Sequence, residues 1–216
     1  MNSSISDSKM AEIENFFKNE QGNGSSGYEI KPGTSNIILT APHSVSQQRE
    51  GEKKSSEYRT GLIVIMLQEL TGAHIAYKTE NLSDDANYDL NCDFKSALSE
   101  YIAHNSIDLL MDFHISASSR EFDFDIGTGR GKNIKYRREL VNKIVSGLEN
   151  HSYERVYQDH IFRAEHPGTV SSTISSKNGI PSLQIEINWN CISSYQKTRE
   201  LVYVFSQLIK DIEVIV

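Results

Sequence analysis

Polar residues with catalytic potential end three apolar runs of the sequence. Asp112 and His114 close one run, two residues apart. His43 closes a second run, and Glu186 lies within a third. Residues two apart on a strand share a face, so Asp112 and His114 are expected to point the same way. Since open α/β sheets place their sites at strand ends, these residues predict one metal-dependent hydrolytic site.

The residue types favour zinc as the metal. Imidazole is a natural zinc ligand, and a catalytic zinc site takes three protein ligands and leaves one position open. His43 and His114 supply two ligands, and Glu57 is the predicted third, because it is expected to open the helix that follows the His43 loop. The alternative for Glu57 is an acid favoured by the helix dipole. Asp112 is predicted to orient an imidazole ligand rather than to bind the metal itself.

Glu186 is the predicted catalytic residue. It lies in the segment Leu183-Gln184-Ile185-Glu186-Ile187-Asn188, where an unpaired buried acid is costly. Its position in the alternation places it on the face opposite Leu183, Ile185 and Ile187. A carboxylate at a strand end beside an activated water is the expected general base and acid of a hydrolase.

A glycine-rich segment, residues 127–133, lies between these motifs. It fails the phosphate-loop pattern, because Ile126 and Asn133 stand where that pattern requires Gly and Ser or Thr. What remains is a loop whose Arg130 and Lys132 suit a substrate carboxylate. The residues that compete for this role are Arg49, Lys54 and Arg163.

Alternating strands and helices are expected to position these residues. Apolar runs predict strands over 36–40, 74–78, 108–114, 122–127 and 183–187. Amphipathic periodicity predicts helices over 57–71, 93–104, 135–150 and 195–213. This order indicates a three-layer α/β/α sandwich with a mostly parallel, mixed central sheet. Residues 28–216 are predicted to form one catalytic domain, preceded by a flexible segment, 1–27, with a short helix.

Composition excludes several classes of function. The chain has 216 residues and a formal net charge of -7, which argues against a nucleic-acid partner. Its runs of apolar residues fall short of the about 20 needed to span a membrane. The N-terminus lacks the pattern of a signal peptide, so the expected location is the cytoplasm, with Cys92 and Cys191 as free thiols.

Several short motifs together resemble the N-formylglutamate amidohydrolase family, and the resemblance spans residues 36–190. The motifs are Pro42-His43-Ser44, Glu57 with Thr60-Gly61, Asp112-Phe113-His114, Gly127-Thr128-Gly129 and Gln184-Ile185-Glu186-Ile187-Asn188. The family is related to zinc carboxypeptidases, and the resemblance therefore implies their α/β/α architecture.

The resemblance also implies specific roles and one zinc ion per chain. The zinc ligands would be His43, Glu57 and His114, and the catalytic acid/base would be Glu186. Asn87, in Asp85-Ala86-Asn87, would lie near the substrate, as would Thr128 and His166. The implied reaction is hydrolysis of an amide bond in a small or peptide-like substrate that carries a carboxylate, such as an N-acyl amino acid or a glutamyl-like compound.

Two other functions stay open at this point. A degenerate relative would bind a small acidic ligand or a partner without catalysis and without stoichiometric metal. A cysteine hydrolase would use Cys191 with a nearby histidine, although the flanking sequence has none of the features that activate a thiol.

Overall fold

A seven-stranded sheet forms the centre of the computed structural model, which describes residues 5–22 and 26–216. The described residues form nine strands, of which seven belong to this sheet and two pair separately. The strands are Tyr28–Lys31 (β1), Ile37–Ala41 (β2), Gln47–Arg49 (β3), Glu52–Lys54 (β4), His74–Lys78 (β5), Leu109–Ser116 (β6), Phe124–Gly127 (β7), Val156–Gln158 (β8) and Ser182–Asn188 (β9). The helices are Asp7–Lys18 (α1), Arg59–Thr71 (α2), Asp93–Ala103 (α3), Arg138–Glu149 (α4), Val170–Asn178 (α5) and Tyr195–Glu213 (α6).

The strand order in the sheet is β1-β5-β2-β6-β9-β7-β8, and β3 and β4 form a separate hairpin. The central strands β5, β2, β6 and β9 are parallel, whereas β1 and β7 run antiparallel to their inner neighbours. Helices cover both faces of the sheet. The predicted three-layer α/β/α fold with a mostly parallel, mixed sheet is therefore confirmed.

The two faces of the sheet are packed differently. Along β6, Leu109, Met111 and Phe113 belong to the larger core, which also contains side chains of α1, α2, α4 and α6. Leu110 points to the other face, into a smaller core with side chains of α3 and α5. Because side chains alternate along a strand, Asp112 and His114 share the face of Leu110. The smaller core ends where these polar residues begin.

One difference between the predicted and the observed elements concerns the site directly. The helix predicted over 57–71 begins at Arg59, so Glu57 precedes it and accepts a hydrogen bond from Thr60 N. It ends as expected at Gly72, whose positive φ of 71° suits a helix C-terminus. Two elements lie in segments for which no strand was predicted. These are the hairpin β3–β4, within residues 47–54, and the edge strand β8.

Helix α1 lies in the segment 1–27, for which a short helix was predicted. Its first turn is capped by Ser6, whose hydroxyl oxygen accepts a hydrogen bond from Lys9 N at 3.3 Å. Met10 and Phe17 are fully buried against α2 and the larger core. Residues 1–4 and 23–25 of the segment lie outside the described residues. Within the described residues, no helix is long and apolar enough to cross a membrane.

Phe17 tests whether α1 contributes to the stability of the domain. Its ring contacts that of Tyr77 edge to face, with centroids 5.3 Å apart. Phe17→Ala is expected to lower the free energy of unfolding by about 3–5 kcal/mol, because it leaves a cavity in a packed core. Urea denaturation measures this, with Tyr203→Ala, an exposed aromatic on α6, as the control. Equal stability of the two variants would contradict a structural role for α1.

Candidate metal and catalytic site

Polar residues form two adjacent rows across the central strands. Thr40 on β2 pairs with Asp112 on β6, which pairs with Gln184 on β9. In the second row, His114 pairs with Glu186. All five side chains share the face of the sheet covered by α3 and α5, near the carboxyl ends of the parallel strands. The registers of the strands therefore bring residues together that lie far apart in the sequence.

His43 and Glu57 reach the same place from the chain that follows β2. The chain turns at Ser44, whose hydroxyl donates to the carbonyl oxygen of Ala41 at 2.9 Å. The carbonyl oxygen of His43 then accepts a hydrogen bond of 2.7 Å from Glu57 N. This contact returns Glu57 to His43 before α2 begins.

The carboxylate of Glu57 lies between the two imidazoles. Its Oε1 is 2.9 Å from His43 Nδ1, and its Oε2 is 3.2 Å from His114 Nδ1. Oε2 also accepts a hydrogen bond of 2.8 Å from Ile115 N. The potential ligand atoms of these three side chains all lie within 4.8 Å of one another, which fits the predicted ligand set of one metal ion.

Aspartates hold the other nitrogen of each imidazole. His43 Nε2 is 2.8 Å from Asp85 Oδ1, and His114 Nε2 is 3.1 Å from Asp112 Oδ2. Both aspartates are fully buried, and Thr40 donates a hydrogen bond to Asp112 at 2.5 Å. Both nitrogens of each imidazole therefore face a carboxylate oxygen, and an ionised carboxylate only accepts hydrogen bonds. Nδ1 would be the nitrogen that binds a metal ion, while Nε2 keeps its proton for the aspartate, as in other metal-binding histidines.

The electrostatics of this cluster favour positive charge at the two imidazoles. Burial opposes protonation, but Glu57 and Asp85 raise the pKa of His43, and Asp112 and Glu57 raise the pKa of His114 well above its usual value. Although burial acts the other way, the two histidines lower the pKa of Glu57 to about 2. A metal cation, or protons in its place, can supply the charge that this cluster stabilises.

Glu186 has a different environment. It is buried, and its Oε1 accepts a hydrogen bond of 2.9 Å from the side-chain amide of Gln184. Burial raises the pKa of Glu186 to about 8, an effect that His114 reduces and Glu57 reinforces. A carboxyl group with a pKa near neutrality can both accept and return a proton at physiological pH.

A cavity of about 610 Å³ opens over these groups. Besides Glu186 and the candidate ligands, its lining includes the predicted substrate-binding residues Arg49, Asn87, Arg163 and His166. Asn87 donates to Gln184 Oε1 at 3.2 Å and accepts from Val170 N at 2.8 Å. His166 stacks on Tyr88 with ring centroids 4.9 Å apart. Both side chains are thus fixed in the cavity wall.

The structure does not bring Thr128 and Arg130 into this cavity. The hydroxyl of Thr128 donates to Asp159 at 2.5 Å, and the residue is fully buried. Arg130 is largely exposed and pairs with Glu165 at 2.5 Å. The glycine-rich segment folds back beneath the cavity wall, because Asn133 donates to the carbonyl oxygen of Ala164 at 2.9 Å.

Two residues near the candidate ligands, Asp85 and Arg120, could not be predicted from the sequence. Asp85 was named only as the first residue of the motif Asp85-Ala86-Asn87. The polar residues beside it in the sequence did not indicate that its carboxylate is buried in contact with His43. Arg120 lines the cavity, with its guanidinium 5.5 Å from the ring of Phe162. Its segment, 116–121, has neither the apolar run nor the glycine pattern that marked the other candidates.

Cys191 lacks the surroundings of a nucleophile. Its thiol lies 3.8 Å from the carbonyl oxygen of Asp123, and it is not among the residues that line the cavity. Burial raises the pKa of Cys191 to about 12, so the thiolate is scarce at neutral pH. The geometry therefore offers no support for the cysteine-hydrolase alternative.

The contact between Asp85 and His43 gives a test of the metal centre. Asp85→Asn is expected to raise the zinc dissociation constant by about 10- to 100-fold, because outer carboxylates orient the ligand and increase its basicity. Competition with a fluorescent chelator measures the constant. Asp93→Asn, in the first turn of α3, is the control and should bind zinc like the unaltered protein. Unchanged affinity in Asp85→Asn would contradict the proposed effect of Asp85 on His43 as a metal ligand.

Known proteins resemble this chain in fold rather than in sequence. No protein-family model and no curated protein matches the chain. A gene product of Agrobacterium tumefaciens has 13% identity and a TM-score of 0.65, covering 91% of this chain and 96% of its own. A bacteriophage poly-gamma-glutamate hydrolase has 16% identity and a TM-score of 0.57, covering 91% and 92%.

The N-formylglutamate amidohydrolase of Ralstonia eutropha has 13% identity and a TM-score of 0.59, covering 88% of this chain and 98% of its own. At such low identity the similarity concerns the fold. The resemblance indicated by the sequence motifs is confirmed at that level: the chain shares the fold of N-formylglutamate amidohydrolase over most of its length.

Proposed function

We propose that the protein is a zinc-dependent amidohydrolase that cleaves an amide bond in a small substrate bearing a carboxylate, such as an N-acyl amino acid or a glutamyl-like compound. The observation that carries the proposal is the convergence of His43 Nδ1, His114 Nδ1 and the Glu57 carboxylate beside the buried Glu186. These groups lie in one cavity whose wall contains several cations.

The donor set fits zinc. Two imidazoles and a carboxylate are common ligands of catalytic zinc, and a site of three protein ligands leaves room for water or substrate. Asp85 and Asp112 complete the pattern by holding the second nitrogen of each imidazole. When bound, the zinc ion supplies Lewis-acid activation of the scissile carbonyl and of water.

Glu186 moves the proton. It accepts a proton from the attacking water as the water oxygen forms its bond to the acyl carbon, and donates that proton to the nitrogen as the C–N bond breaks. The products are a carboxylic acid and a free amine. Gln184 fixes the carboxyl group for this transfer through its hydrogen bond to Oε1.

Arg120 and Arg163 are the proposed partners of the substrate carboxylate. Arg49 also lines the cavity, but its guanidinium pairs with Asp85 at 2.8 Å, so its charge is already balanced. Arg163 is 45% exposed, and its nearest described carboxylate, Glu165, is 4.0 Å away. A guanidinium offers paired donors that match both oxygens of a carboxylate.

The structural neighbours agree with this proposal. Two of the proteins that share the fold are by name a poly-gamma-glutamate hydrolase and an N-formylglutamate amidohydrolase. Both names describe hydrolysis of a glutamate-containing substrate, which corresponds to the carboxylate-bearing amide proposed here.

Replacing Glu186 separates catalysis from metal binding. Glu186→Gln is expected to retain one zinc per chain and to lose about 10²- to 10⁴-fold in kcat, because the amide cannot accept the proton of water. Zinc is measured by elemental analysis, and turnover by release of the free amine from N-acyl glutamates. Glu149→Gln, at the end of α4, is the control. Full activity in Glu186→Gln would refute the assigned role, and an unaltered protein with neither stoichiometric zinc nor turnover would instead favour the ligand-binding relative.

Arg163, which lines the cavity, and Arg130, which does not, make a matched pair for mutation. Arg163→Ala is expected to raise KM by about 10- to 100-fold, the size of a lost hydrogen bond to a charged group. Arg130→Ala should leave KM unchanged, since its side chain lies outside the cavity and pairs with Glu165. Steady-state kinetics on an N-acyl glutamate measure both. The opposite result would move the carboxylate site to the glycine-rich segment.

A further inference from the structure

A second cavity, of about 430 Å³, adjoins the first on the far side of Glu57. The two cavities share Ser55, Glu57, Ile115, Ser116 and Ala117 in their linings. Together they form one cleft that continues past Glu57, the candidate metal ligand that lines both cavities. A substrate bound in the first cavity therefore has space to extend past Glu57.

The two halves of the cleft differ in charge. The first half contains the cations Arg49, Lys54, Arg120 and Arg163 together with the carboxylates of Glu57, Glu165 and Glu186. In the second half, Glu57 is the only charged side chain of the lining described, and the residues added there include Tyr58, Trp189 and Ser118. The second half is thus suited to an uncharged group.

Trp189 lines the second cavity, and its surroundings hold it in a defined position. It opens the short 3-10 turn Trp189–Cys191, which directly follows β9. Asn188 stabilises this turn by accepting a hydrogen bond from Asn190 N at 2.9 Å. The guanidinium of Arg59 lies 4.9 Å from the ring of Trp189. Arg59 itself is buried and paired with Glu14 at 2.5 Å, so it offers no free charge to a ligand.

The position of Glu186 determines which half of the substrate lies in which cavity. Glu186 lines the first cavity and is not in the lining of the second. On the proposed function, on which this step rests, Glu186 gives its proton to the leaving amine. The amine half of the substrate, with its carboxylate, therefore occupies the first cavity near Arg120 and Arg163. The acyl half extends past Glu57 into the second.

We propose that the second cavity is an acyl-binding subsite for an uncharged aromatic acyl group, such as phenylacetyl. Tyr58, Ile115 and Trp189 supply apolar and aromatic contacts for a ring, and rings gain from stacked or edge-to-face packing. One water molecule occupies about 30 Å³ of liquid, so a formyl group of two heavy atoms would fill only a small part of this cavity. Hydrolysis of such a substrate yields an aromatic carboxylic acid and the free amino acid.

Binding to a slow variant tests this subsite independently of turnover. Zinc-loaded Glu186→Gln is titrated by calorimetry with Nα-phenylacetyl-glutamate and with Nα-formyl-glutamate. The phenylacetyl compound is expected to bind at least about 10-fold more tightly, a typical gain from filling an apolar pocket. Adding Trp189→Ala should remove most of this ratio, and adding Ser118→Trp, at an exposed position, should block the cavity to the same effect. Tyr203→Ala, added as the control, should leave the ratio unchanged.

The possible outcomes test the acyl subsite and the proposed amidohydrolase separately. Equal affinities, no binding of either compound, or a preference that survives both Trp189→Ala and Ser118→Trp would overturn the acyl subsite. Turnover of both compounds by the unaltered enzyme without a preference in binding would overturn the subsite alone. A preference in binding that depends on Trp189, with no turnover by the unaltered enzyme, would support the subsite and refute the proposed amidohydrolase.

Discussion

The Glu57 carboxylate between two imidazoles is the interaction on which the site depends. Each of its oxygens faces one Nδ1, and each imidazole is held from behind by a buried aspartate, Asp85 or Asp112. Removing water from so many ionisable groups is costly unless their charges balance. The arrangement therefore requires positive charge at its centre, which protons or a metal cation can supply, and zinc is the metal that we propose.

Backbone contacts, rather than side-chain packing alone, hold Glu57 in this position. Its N–H donates to the carbonyl oxygen of His43, and its Oε2 accepts from the N–H of Ile115 on β6. Glu57 thus links the chain after β2 to the end of β6. The same link forms the boundary between the two halves of the cleft, so the candidate metal ligand also separates the proposed amine and acyl sides.

The parts of the site that could be predicted from the sequence are those that depend on local patterns. Alternation along β6 was enough to place Asp112 and His114 on one face, and apolar runs marked the strands that carry them. Asp85 could not be found in this way, because its burial depends on the meeting of separate loops. The structure places Thr128 and Arg130 outside the cavity lining. A glycine-rich pattern predicts a loop, but it does not predict the direction in which the side chains of that loop point.

Glu186 and Asp125 lie in the same row of the sheet but differ in the hydrogen bonds that their carboxyl groups accept. The two residues are register partners on β9 and β7, and both are buried. Asp125 accepts hydrogen bonds from the backbone N–H groups of His160, Ile161 and Phe162 at 3.1, 2.7 and 2.8 Å. Its lone pairs are therefore occupied in fixing the loop that carries one wall of the cavity. Glu186 has one described donor, the amide of Gln184, so it keeps an oxygen free for the proton transfer that we propose for it.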